Sequence, residues 1–469
     1  MPVLTASEGA CPQHLFMDIL NNIVNSVSSL LWGWPMIILL LGTHIFLTIR
    51  LRFPQRNIVK AIRYSVKSDK GAGDVSQFGA LATALAATIG TGNIVGVATA
   101  VALGGPGAVF WCWITGFFGI ATKYGEGLLA VKYRVRTDDG SVHGGPMYAL
   151  ERGLGWHRMG ILFAVFTVIA AFGIGNTVQA NAISTLANEA YGIPQWATGV
   201  VVCGLTAAVV LGGIKSIARV CGVLVPFMAV LYVLGCLYIL VVNSAYLWPA
   251  LKLIVQAAFT PEAAGGGFIG STVMTAARYG IARGLFSNES GMGSAPIVAA
   301  AAKTRNPVRQ ALVSSSGTFW DTVVICALTG LVIVSSILAY PDISYDNGAV
   351  LTKMAFSKIP VIGTPLLTFG LFTFAFSTML GWEIYSERAM HYLKGGRWAQ
   401  GYRILFVIVV FIGAAATNLT LVWNVADCMN ALMAIPNLLS LLFLSGVIVS
   451  ETRKYLWNNN LDAYMEDDV

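Results

Sequence analysis

The chain has 469 residues, 56% of them hydrophobic and 11% charged, with a formal charge of +7 and a mean hydropathy of +0.71. Soluble domains carry roughly 25% charged residues, so a soluble protein of this composition would have to expose apolar patches larger than soluble monomers tolerate. At about 20 apolar residues per spanning helix, the length holds ten or eleven membrane spans and no separate soluble domain.

The first 26 residues contain no Lys or Arg and lack the basic start of a cleaved signal peptide, so they are expected to stay attached as an extracytoplasmic N-terminus. Apolar stretches bounded by polar or turn residues then predict eleven spans, near 27–49, 78–98, 104–130, 159–186, 195–213, 220–243, 266–300, 311–338, 362–386, 403–418 and 421–449. The fold class is an all-α polytopic membrane protein. Its predicted parts are an extra transmembrane helix (27–49), a basic cytoplasmic segment (50–74), two five-helix halves (75–243 and 244–449) and a cytoplasmic tail (450–469). With these spans, 24 of the 29 Lys and Arg residues fall on one set of alternate loops or at their span edges; Lys252, Lys353 and Lys358 fall on the other, and Arg278 and Arg283 lie within a span. Basic residues are retained on the cytoplasmic side, which places the N-terminus outside and the C-terminus inside. The segment from Arg50 to Lys70 reads either as a basic amphipathic helix on the inner membrane surface or as a solvated loop. The seven cysteines show no CxxC spacing; six read as small core residues and Cys11 is left open.

The second span contains Gly90-Thr-Gly-Asn93 at bilayer depth. Gly costs about 1 kcal/mol relative to Ala inside a helix, so a break is expected there. The seventh span repeats the feature between Gly280 and Gly293, five spans later and therefore with opposite membrane direction. In lipid, the polar groups freed by a break are tolerated only where protein or a polar cavity supplies partners. Two discontinuous helices at matching positions of two inverted halves point to the midplane site of a secondary transporter. The alternative for an intramembrane glycine is close helix packing, which suits Gly96; Gly90, Gly92 and residues 284–293 stand beside Asn, Ser and Glu, which need polar partners at that depth.

Intramembrane charges are costly and point to function unless paired. Glu289 falls inside the second break and is the main functional candidate. Arg278 and Arg283 either pair with an acid such as Glu126, Asp321 or Asp427 or line the outer pathway; Lys123 with Glu126, and Glu383 near Arg388, read as structural. No HExxH, GxSxG or Walker loop occurs, so catalysis and ATP use are not expected, and transport has to draw on a gradient. A channel is the rival class, although a filter built by oligomerisation is not what one chain with convergent polar features describes.

The stretches Thr83 to Thr99, Gly104-Gly-Pro-Gly to Trp113, Ala121-Thr-Lys-Tyr-Gly-Glu126 and Gly284-Leu-Phe-Ser-Asn-Glu-Ser-Gly-Met-Gly-Ser-Ala-Pro296 resemble the bacterial and archaeal alanine/glycine:cation symporter family, from about residue 50 onward. Cys112 and Gly125 stand where that family commonly has Met and Ala. The resemblance implies a LeuT-type inverted repeat of five plus five helices with one extra N-terminal helix, in the plasma membrane of a prokaryote. It implies Na⁺-coupled uptake of small neutral amino acids such as alanine, glycine or serine, with H⁺ as the alternative coupling ion and no organic cofactor or nucleic-acid partner. The implied substrate contacts are Thr88, Gly92 and Asn93 on the first break, Phe286, Ser287, Asn288 and Glu289 on the second, and Gln179 and Trp382 on two further helices. For Trp382 an interfacial belt position is the alternative. The implied Na⁺ site joins carbonyls from Ala87, Thr88 and Gly90 to hydroxyls of Ser377 and Thr378.

Overall fold

The computed structural model describes residues 12–138, 140–260, 272–343, 348–417 and 419–465. Three of its helices begin at a side-chain cap. Ser76 and Thr272 accept the Gly79 and Thr275 amides at 3.0 and 3.1 Å, starting the two helices Gln77–Thr88 and Val273–Asn288 that lead into the predicted breaks. Asn306 accepts the Arg309 amide at 3.1 Å with Pro307 in the first turn, where a missing N–H costs nothing.

Among the described residues, seven helices are long and apolar enough to cross a membrane, and Gln77–Thr88 with Gly92–Gly104 forms a further pair bent by 50°. Their apolar outer surfaces explain the composition. Helix Gly213–Val242 turns Val223, Phe227, Val230, Leu234 and Val241 outward at helical spacing, while Cys221, Val225, Met228, Tyr232 and Cys236 are buried against the bundle. In water that outer stripe would be an aggregation surface; in lipid it is the ordinary one. Cys112, Cys221, Cys236, Cys326 and Cys428 are buried and free and Cys203 is half-buried and free, whereas Cys11 lies outside the described residues.

Several elements depart from the sequence reading. Helix Pro12–Leu31 starts well before residue 27 and packs on Thr420–Phe443. Ile58–Ser65 is a helix seated on Pro307–Thr318, so the segment is not a solvated loop. Ser244–Ala257 and Gly348–Ser357 are helices where connections were expected. A two-stranded hairpin pairs Val135–Arg136 with Val142–His143, a small exception to an all-α fold. Of the long seventh span, 266–271 lies outside the described residues; the rest is Val273–Asn288, an irregular turn and Ala295–Ala299.

Both broken spans end on the basic face, and there they are latched together. Thr304 and Ala302 form backbone bridges with Ala72 and Val75, while Asp69 takes Arg305 at 2.9 Å and Arg309 at 3.1 Å. Arg388 reaches Asp74 at 3.5 Å and also contacts His143. Glu383, expected beside it as a structural partner, is buried with no hydrogen bond to its carboxylate oxygens among the described residues.

Candidate functional site

The first break spans one residue of extended backbone, Ile89, followed by Gly90 and Thr91, after which the chain resumes as a π-helical turn at Gly92–Gly96. Asn93 closes it from within: its Oδ1 accepts the Gly90 amide at 2.8 Å. Helix Gly363–Lys394 lies so close that a Cβ on Gly90 would stand 2.6 Å from Thr378 Oγ1.

The second break is sharper. Glu289 adopts φ +52°, uncommon for a residue with a side chain, and Gly291 and Gly293 also have positive φ. Helix Gly107–Lys132 satisfies the opened backbone by supplying Glu126, whose Oε1 accepts the Gly291 and Gly293 amides at 3.0 and 3.1 Å and Asn437 Nδ2 at 2.7 Å. Glu126 therefore supports the break, in addition to lying 4.0 Å from Lys123. Glu289 itself accepts a hydrogen bond from Ser294.

Between the breaks lies a small cavity of about 20 Å³. The first break contributes Ala87, Thr88, Gly90, Thr91 and Gly92, and the second Phe286 and Glu289; Ile174, Gln179, Thr378, Trp382 and Asn430 complete the wall. Trp382 is buried in the bundle, which removes the interfacial alternative. Its ring fits because residue 175 is glycine: a Cβ there would come within 2.2 Å of the Trp382 Cβ. Residues 173–177 form another π-helical turn, a distortion frequent at functional sites. Gln179 donates to the Ile174 carbonyl at 3.0 Å. Among the described residues, Gln179 Oε1 and Asn430 Oδ1 are buried with no hydrogen-bond donor. Glu289 is the charged residue in this wall, so the cavity presents unsatisfied acceptors beside a carboxyl group.

The structure thus brings together Thr88, Gly92, Gln179, Phe286, Glu289 and Trp382, with Ala87, Gly90 and Thr378. Ser377 sits one step behind, donating to the Ala86 and Phe374 carbonyls at 3.2 and 3.0 Å. Three expected contacts point elsewhere. Asn93 Nδ2 donates to Asp321 Oδ1 at 2.7 Å and Ser287 Oγ to Asp321 Oδ2 at 3.0 Å, while Asn288 lines a different cavity. The sequence suggests Asp321 only as a partner for Arg278 or Arg283, yet it joins the two breaks from a third element, the π-helical Phe319–Cys326. Its signal was a carboxylate inside an apolar run. Among the described residues no ion pair links Arg278 or Arg283 to an acid; Asp427, which feels the charge of Arg283, accepts from Ser28 at 3.1 Å.

A model of the sodium:alanine symporter family matches residues 17–467. The sodium/alanine symporter AgcS of Methanococcus maripaludis is 51% identical, the alignment covering 94% of this chain and 98% of the relative. The probable sodium/glutamine symporter GlnT of Bacillus subtilis is 36% identical over 93% and 91% of the two chains. The crystal structure of MhsT in complex with L-phenylalanine superposes with a TM-score of 0.58 at 16% identity, covering 83% of this chain and 95% of that one, a likeness of fold.

Proposed function

The chain belongs to the sodium:alanine symporter family, and from that premise we propose that it imports small neutral amino acids, alanine and glycine first and serine next, together with Na⁺. The observation that carries this reading is the chemistry of the central cavity. Gln179 Oε1, Asn430 Oδ1 and Glu289 offer acceptors, and helix Val273–Asn288 ends beside them, where the helix dipole is negative. That is a place for an α-ammonium group. Adjoining it is the start of the half-helix at Gly92, where a Cβ would stand 3.5 Å from the Phe286 ring and whose positive dipole end suits a carboxylate. A zwitterion spans the two. Phe286 and Trp382 wall the remaining space and favour a hydrogen or methyl side chain over the longer one of glutamine.

For the ion, the carbonyls near Ala87, Thr88 and Gly90 with the hydroxyls of Ser377 and Thr378 form a set of hard oxygens on two packed helices, the kind a small hard cation prefers. Coupling to H⁺ is the second reading, supported by the carboxyl of Glu289 in the cavity wall. The arrangement in the membrane belongs to the same proposal: eleven spans as two inverted five-helix units behind one extra N-terminal helix, with the basic loops and the C-terminus cytoplasmic.

Radiolabelled alanine uptake into proteoliposomes, with Na⁺ replaced by choline at constant pH, tests the reading. Uptake should fall at least about tenfold, glycine and serine should compete, and glutamine and leucine should not. Equal uptake in choline overturns Na⁺ coupling, and glutamine competing as well as alanine overturns the size argument.

A further inference from the structure

On the basic side of the central cavity lies a second small one, also of about 20 Å³. Thr88 lines both, so the last turn of Gln77–Thr88 is the partition between them. The second wall is mixed: Ala80 and Ala84 from the first broken span and Ala295 and Ala299 from the second are apolar, while Gln310 and Ser314 are polar and bonded to each other. Into this wall are set two buried donors, Lys123 and Asn288, 4% and 0% exposed.

Among the described residues, neither the Lys123 ammonium nor the Asn288 Nδ2 has a hydrogen-bond partner. Asn288 is oriented, because its Oδ1 accepts the Ser290 amide at 2.9 Å and leaves the donor end unmatched. Glu126 stands 4.0 Å from Lys123, beyond hydrogen-bond reach, with its other oxygen held by the second break. The Glu126 carboxylate offsets the charge of Lys123 without taking its hydrogen bonds, and buried donors without acceptors are costly. Two of them around one cavity define a site for an anion with two oxygens, and a carboxylate matches it. The central cavity carries the complementary pattern, acceptors without donors.

We propose that the second cavity is an exit subsite, in which Lys123 and Asn288 receive the carboxylate of the amino acid after it leaves the central cavity and before the latch of Asp69 with Arg305 and Arg309 opens on the basic face. The inference rests on the symport reading above. A carboxylate crossing a buried passage without donors would meet a large desolvation barrier; the ammonium of Lys123 lowers it at the point where the dipole of the first break is left behind.

The test is alanine exchange in oriented proteoliposomes, with the half-saturating concentration measured separately from each face. Lys123→Met should raise the value on the basic face about tenfold, as expected for loss of a charged hydrogen bond, and change the opposite face much less. Asn288→Ala should act in the same direction more weakly, and Lys123→Arg should restore the wild-type ratio. Equal changes on both faces, or none, in both Lys123→Met and Asn288→Ala overturn the subsite; if Lys123→Met does not fold, the ratio in Asn288→Ala decides. Wild-type protein that exchanges no alanine overturns the symport reading, and the subsite with it; wild-type exchange with symmetric variants overturns the subsite alone.

Discussion

The two breaks answer the same physical problem in different ways. The first stays close to helical, bends by 50° and closes on its own Asn93 side chain. The second places Glu289, Gly291 and Gly293 at positive φ and depends on Glu126 and Asn437 from two other helices. A break that satisfies itself can shift as a unit against its neighbours; one satisfied from outside is tied to whatever holds it. The helix Gly107–Lys132 is thus part of the second break's structure, and Asp321 is the joint between the two, accepting from Asn93 of one and Ser287 of the other.

The largest effect should come from cutting the external support. Glu126→Ala leaves the Gly291 and Gly293 amides and the Asn437 amide short of an acceptor, at ~1–3 kcal/mol for each unpaired buried donor. Folded yield, read as the monodisperse fraction in detergent, should drop severely, and Glu126→Gln, which keeps an acceptor oxygen, should recover part of it. Wild-type yield and transport in Glu126→Ala would show that the second break is as self-sufficient as the first. Asn93→Ala makes the converse cut. It removes the Gly90 cap and one donor to Asp321, so a loss of roughly 1–3 kcal/mol is expected, visible as a lower melting temperature with the fold retained. A loss of yield equal to that of Glu126→Ala would erase the contrast.

How far the sequence spoke follows from the same contrast. Glycine clusters beside Asn and Ser at bilayer depth announce a break because they are local, and so is the alternation of basic loops that orders the spans. The partner that satisfies a break is not local. Glu126 lies 165 residues before Gly291, and its placement near Lys123 at i+3 makes an edge pair the simpler reading. Asn93 and Ser287 were legible as polar residues at the right depth, but the direction in which they point depends on Asp321, which only packing brings between them. Gly175 and Trp382 are likewise invisible as a pair, since the fit of a ring against a missing Cβ leaves no pattern in the chain. Helices Ser244–Ala257 and Gly348–Ser357 are too short to read as spans, so the hydropathy rule passed over them.

A smaller effect should isolate the ion from the substrate on the first break alone. Ser377 touches the Ala86 carbonyl and Thr378 faces Gly90, while the second break has no contact of this kind with helix Gly363–Lys394 among the hydrogen bonds of these two residues. Replacing both hydroxyls with Ala should raise the Na⁺ concentration for half-maximal uptake several-fold and leave alanine affinity at saturating Na⁺ close to wild type. An unchanged Na⁺ dependence removes both from the ion site.

The smallest effect is expected at the wall that faces both breaks. Trp382 lines the cavity opposite Phe286 and packs edge-on against Tyr385, with ring centroids 5.6 Å apart. Its position is fixed on the other side by Gly175, so the ring cannot retreat from a larger substrate. Dense packing excludes even one added methylene at about 1–3 kcal/mol, enough to hold valine and leucine out without any polar discrimination. Trp382→Leu removes the ring and keeps an apolar surface. Valine and leucine should then compete with labelled alanine, alanine binding should weaken modestly through lost contact, and the Na⁺ requirement should stay as it was, because neither break has been touched. Competition across glycine, alanine, serine, valine and leucine in both forms reads the change. A selectivity profile identical to wild type would move the size filter from the Trp382 wall to Phe286, and so from the scaffold to the second break itself.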